Sequence, residues 1–89
     1  MIFDYDKQKS ISNKEKHGID FHQAQALWQD PDCIVIPART IGESRYLLIG
    51  KYDNKIWSAI FTIGNKKIRI ISVRRSRKNE EEIYKRWGL

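Results

Sequence analysis

The chain changes hydrophobic period twice: helical spacing before residue 30, extended spacing between residues 33 and 75, and helical spacing again after residue 79. Residues 2–5 read as a short strand. Asp6 then offers an N-cap for a polar helix reaching about His17, and Gly18 suits the left-handed position that follows a helix. Ser12 with Glu15 gives a second capping box, which leaves the helix start open by several residues. Beyond Ile11 this helix carries little apolar surface. Asp20 followed by Gln23 starts another helix, with Ile19 placed to staple against Ala24. Phe21, Ala24, Leu27 and Trp28 recur at helical spacing until Asp30 and Pro31 end the run.

Residues 33–37, 45–51, 56–62 and 67–74 carry the extended pattern. Asp53-Asn54 and Gly64-Asn65 sit where tight turns would join the last three into an antiparallel meander. Strict alternation in the last strand sends Arg69, Ile71, Val73 and Arg75 to one face and Ile68, Ile70, Ser72 and Arg74 to the other. Both faces are then partly apolar, which predicts a central strand whose charges emerge toward one end. Asn79 reads as the cap of a last helix, with three acids in its first turn and two cations in its last, as the macrodipole favours. Ile83, Tyr84 and Trp87 share the face that would dock it. No repeat or linker interrupts the 89 residues, so residues 1–89 read as one α+β domain: a sheet, two N-terminal helices and one C-terminal helix.

Composition adds a strong charge bias. The net charge is +6 and the isoelectric point is near 9.6, values that favour an anionic partner such as RNA, DNA, an acidic protein or anionic lipid. Residues 66–78 hold seven of the seventeen Lys and Arg, contain no acid, and thread the cations through a β-branched run. A strand would hold such guanidinium groups at fixed spacing, as a polyphosphate ligand requires. Lys66, Lys67 and Lys78 also suit a solvated sheet edge. Arg69, Arg74 and Arg75 interrupt an apolar run and so need partners. The single Cys33, inside Cys-Ile-Val-Ile, reads as a buried strand thiol, and no Cys/His spacing suggests a metal. The first residues lack a basic then apolar leader, and no stretch approaches a membrane span, which predicts a cytoplasmic protein.

Phosphodiester cleavage in RNA can use the substrate's own 2′-hydroxyl. The protein then has to draw off that proton, stabilise charge on the phosphorane-like transition state and protonate the departing 5′-oxygen. No carboxylate cluster for a metal is evident, so a route without cofactor is expected. His17, beside Lys16 at a helix end, is the first acid/base candidate by residue type, although a structural histidine bonding the last carbonyls is at least as good a reading. His22 reads as surface. Glu43, in the polar loop of residues 39–45, forms either an ordinary ion pair with Arg45 or a base at the mouth of an arginine-lined cleft. Tyr84 reads first as core packing of the last helix, with a phenol offered to a phosphate or stacked on a base as the alternative. A non-catalytic RNA- or DNA-binding module would use the same basic strand.

Taken together, several segments in order resemble the BrnT family of toxins. They are Asn13 to Ile19 with Lys16, His17 and Gly18, then Phe21, Ala24 and Trp28 to Pro31, then Glu43 to Arg45, Ile49-Gly50, Thr62, Ile68 to Arg75 and finally Tyr84. The resemblance implies a RelE-like fold with helices on an antiparallel sheet. It also implies a ribonuclease of a type II toxin–antitoxin pair that cleaves RNA and halts translation. The implied partner is a BrnA-like antitoxin that neutralises the toxin and brings the DNA-binding domain of the joint complex. By position it assigns catalysis to His17, Glu43, Arg69, Arg74 and Arg75, and RNA contacts to Lys16, Arg45, Lys67, Arg77, Lys78 and Tyr84. Relatives commonly carry an arginine before the tyrosine of the last helix, where this chain has Glu80, Glu81 and Glu82. Arg77 or Lys78 are the candidates to cover for it.

Overall fold

The computed structural model describes residues 1–38 and 42–87. Asp6 caps α1 (Lys7–His17) through hydrogen bonds from the Gln8 and Lys9 amides, and Gly18 closes the helix at φ 80°. Asp20 and Gln23 form the expected capping box at α2 (Phe21–Ala24), which tightens after one turn into a 3₁₀ helix (Gln25–Gln29) that ends at Asp30. The strands are β1 (Ile2–Asp4), β2 (Ile34–Ala38), β3 (Arg45–Tyr52), β4 (Lys55–Gly64) and β5 (Lys67–Arg75), followed by α3 (Lys78–Trp87). Residues 39–41 of the polar loop lie outside the described residues.

The five strands form one sheet in the order β1-β5-β4-β3-β2. β2 to β5 are an antiparallel meander, as the pattern predicted for the last three, but β1 joins β5 in parallel, so the sheet is mixed where the resemblance implied an antiparallel one. The two tight turns use positive φ at Asp53-Asn54 and at Asn65-Lys66, the second one residue later than expected. β4 takes the central place, with β5 beside it.

β5 does not alternate strictly. Ile60 pairs with Ser72 and the next residue, Phe61, pairs with Ile70, so Ile71 is an extra residue in a β-bulge. The bulge inverts the expected assignment for half the strand. Ile70 and Val73 both enter the core beneath α2, with Leu48, Ala59 and Phe61. Arg75 stays on that face, opposite Trp57, while Arg74 falls opposite Ser58 on the other. The second face buries Leu47, Ile49 and Tyr84, with Ile36, Ile56, Ile60 and Ile83 against them.

Two polar connections lock the helices to this sheet. α1 has Ile11 half-exposed and instead buries Ser10 and Asn13. The Asn13 amide donates to Ile19 O and Val73 O at 2.8 Å each and accepts from Val73 N at 3.2 Å. β1 stops beside Arg69, so Asn13 supplies the outer edge of β5 with the partners a longer neighbouring strand would have given. Ser10 likewise accepts from Phe21 N. The 3₁₀ helix lies so close to β3 that a Cβ at Gly50 would stand 3.1 Å from Leu27 O, a contact tight enough that the backbone would have to give slightly to admit it.

α3 is fastened by Glu80, which is buried and accepts from Arg74 Nη1 and Nη2 at 2.7 and 2.9 Å, from Ser58 Oγ and from Arg77 N. The helix therefore starts at Lys78, and Glu80 reaches back to its first turn in the role expected of Asn79. Tyr84 is buried and donates to Asp30 at 2.6 Å, while Trp87 stays 72% exposed and does not dock. Asp30 also accepts from the Asp32 and Lys51 amides. Burial pushes its carboxyl up, but these three donors outweigh it and hold the group below its ordinary value.

Replacing Asn13 with alanine strands three backbone groups in a buried site and should cost roughly 2–4 kcal/mol of stability in urea unfolding. Arg74, ahead of burial and the other donors, brings Glu80 from its ordinary 4.5 to about 2. Unfolded chains thus take up this proton first as pH falls. The stabilisation, on the order of 2–3 kcal/mol, should be complete above about pH 5, decline below 4.5 and vanish near pH 2. In Glu80→Gln that portion of the acid dependence should disappear from urea titrations run across the same range.

Candidate active site

α3 covers only half of the second face. Alternation along β3, β4 and β5 places Arg45, Thr62, Lys67 and Arg69 on that face toward the turn between β4 and β5, beyond the reach of the helix. A cavity of about 360 Å³ opens there. Lys67 and Arg69 of β5 form one wall, Thr62 to Asn65 the floor and turn, Glu43 and Ser44 the opposite rim, and Asp4 of β1 the near edge.

Two loose ion pairs organise its charge. Arg69 Nη1 donates to Asp4 at 2.7 Å with both side chains 49% exposed, and Arg45 stands 3.9 Å from Glu43. Pairs this exposed contribute about 0–1 kcal/mol to stability, and both guanidinium groups remain open to a phosphate. Arg74 differs, being held by two short bonds to a buried carboxylate that meets no other cation among the described residues. Removing it would leave Glu80 buried and unpaired.

The structure therefore divides the residues that the sequence assigned to one site. Lys67, Arg69, Arg45 and Glu43 come together at the open end. Arg74 is on the same face but spent on Glu80. Arg75 is on the opposite face, its guanidinium 5.6 Å from the Trp57 ring centroid, in a cation–π contact. Lys16 and His17 are exposed at the C-terminal end of α1, one turn past Asn13, with the helical layer rather than the cavity. Arg77 and Lys78 are exposed at the start of α3.

Tyr84 is committed to Asp30; burial first, and then that bond, push its hydroxyl above the ordinary value and make it a poor proton donor to a ligand. Cys33 is half-buried, and burial together with the Asp30 charge pushes its thiol up, away from nucleophilic use.

Asp4, Ser44, Thr62 and Asn65 line the cavity without having been assigned to a site from the sequence. Thr62 and Ser44 lay within the family-like string, but Asp4 reaches the site only through the pairing of β1 with a strand more than sixty residues later. Among the described residues no three His, Cys, Asp or Glu side chains cluster as a metal site, and no helix is long and apolar enough to cross a membrane.

The lining is largely polar, sets Lys67 and Arg69 beside the carboxylates of Asp4 and Glu43, and offers no aromatic platform, an arrangement suited to a phosphate and ribose more than to a base. No curated protein sequence matches the chain significantly. The model of one family does match, over residues 5–80, and on that match the chain belongs to the BrnT family, the ribonuclease toxins of type II toxin–antitoxin systems.

Proposed function

We propose that the chain is a metal-independent endoribonuclease whose reaction is centred on the open cavity of the second face. The observation that carries this reading is the meeting of Lys67, Arg69 and Glu43 around one solvent-accessible space. A scissile phosphate enters between Lys67 and Arg69, with Arg45 close to Glu43 on the far side. Glu43 takes the proton of the 2′-hydroxyl as that oxygen attacks phosphorus. The bond to the 5′-oxygen breaks, and Lys67 or water protonates the leaving group. The cations carry the charge that builds on the non-bridging oxygens, a task that in other nucleases falls to a metal. The products are a 2′,3′-cyclic phosphate and a 5′-hydroxyl.

In this reading Arg74 acts indirectly, by seating α3 beside the cavity, and His17 and Arg75 belong to the helical side of the sheet. The membership of the family supports an antitoxin partner and an RNA target. We further infer that the fold is RelE-like, that cleavage halts translation in the cytoplasm, and that a BrnA-like antitoxin neutralises the enzyme and carries the DNA binding of their complex.

Cleavage of RNA by the purified chain should persist in EDTA and yield 2′,3′-cyclic ends; dependence on Mg²⁺ or 3′-hydroxyl ends would overturn the mechanism. Glu43→Gln and Arg69→Ala should each lower kcat by roughly a hundredfold, whereas Arg75→Ala should stay within about threefold of the parent. Salt-sensitive binding with intact RNA in every case would instead identify a binding module.

A further inference from the structure

β1 is three residues long, and its place is set by Phe3, whose ring meets Trp28 edge-on at 5.1 Å among the core residues of the helical face. Alternation then turns Asp4 to the opposite face, in register with Arg69. The Asp4 carboxylate takes a hydrogen bond from Arg69 Nη1 at 2.7 Å at the cavity edge. Asp6, another acid close to Arg69, is occupied by the amides of Gln8 and Lys9.

An arginine on an exposed strand has many rotamers and loses entropy when a phosphate orders it. A carboxylate fixed by the sheet removes much of that freedom beforehand. The bond uses one of the five guanidinium donors, which leaves the rest of the fork for a ligand. The same carboxylate also lowers the positive potential of the cavity, so it weakens ground-state attraction for RNA while improving orientation. A residue that only competed with phosphate would do the first without the second.

We propose that Asp4 is a positioning residue that holds the Arg69 guanidinium in its working orientation for phosphodiester cleavage. The inference deepens the ribonuclease reading and rests on it. Asp4 lies just before the segment that the family model covers, so the assignment comes from the pairing of β1 with β5 rather than from the family match.

The test compares the whole chain with Asp4→Asn, Arg69→Lys and the double variant. Asp4→Asn should lower kcat roughly tenfold with KM unchanged or reduced, and it should bind a non-cleavable 2′-deoxy oligonucleotide as well as or better than the parent. In ¹⁵N spectra the two Nη groups of Arg69 should be distinct in the parent and merged by rotation in Asp4→Asn. With Arg69→Lys already present, adding Asp4→Asn should cost little more.

A kcat that is unchanged or raised, merged Nη signals in the parent, or additive losses in the double variant would overturn the proposal. Thermal unfolding separates misfolding from misplacement, since loss of a half-exposed pair should leave Tm nearly unchanged. If the parent cut no RNA, the ribonuclease reading would fall. The Arg69 signals and the oligonucleotide affinities would still decide whether Asp4 orders that guanidinium.

Discussion

One extra residue in β5 determines which cations can act together. Without the bulge at Ile71, alternation would have put Arg69 with Arg75 under the helices and Arg74 alone on the other face. With it, Ile70 and Val73 both reach the core while Lys67, Arg69 and Arg74 share the face that α3 half covers. The apolar side enforces this choice. Val73 is fully buried and is gripped at its backbone by Asn13, so slipping the register would expose one and strand the other.

The guanidinium groups on and around this sheet are then sorted by what surrounds them. Arg74 lies where α3 covers the face, and Glu80 turns it into a clasp with a low-lying carboxyl pKa. Arg75 lies over Trp57 on the helical side. Arg69 and Arg45 lie past the end of α3, in pairs exposed enough for a phosphate to reach them. Charge alone does not distinguish these cases. The competing anion and the local exposure do, because a bidentate pair with a buried carboxylate resists exchange far more than a half-solvated one.

Much of the fold was readable in advance because its signals are local. Asp6 and Gly18 bracket α1, Asp20 with Gln23 starts α2, and positive φ at Asp53-Asn54 turns the chain between β3 and β4. Each depends on residues within a few positions. The misplaced details are non-local. Trp87 has the spacing to dock but remains exposed, Asn79 yields its capping role to Glu80, and the sheet becomes mixed because the first residues of the chain join β5.

The order of residues by itself determined an α+β domain with a basic strand, and through an ordered set of short motifs it determined the family. Only the tertiary structure decided which basic residues face a common space, since that depends on the bulge, on where α3 ends and on which acid each arginine meets. A one-residue irregularity reverses every later side chain in a strand, and pairing across the sheet brings Asp4 to Arg69. Neither leaves a trace in local spacing, because both are settled by the burial of Val73 and Phe3 against partners distant in the chain.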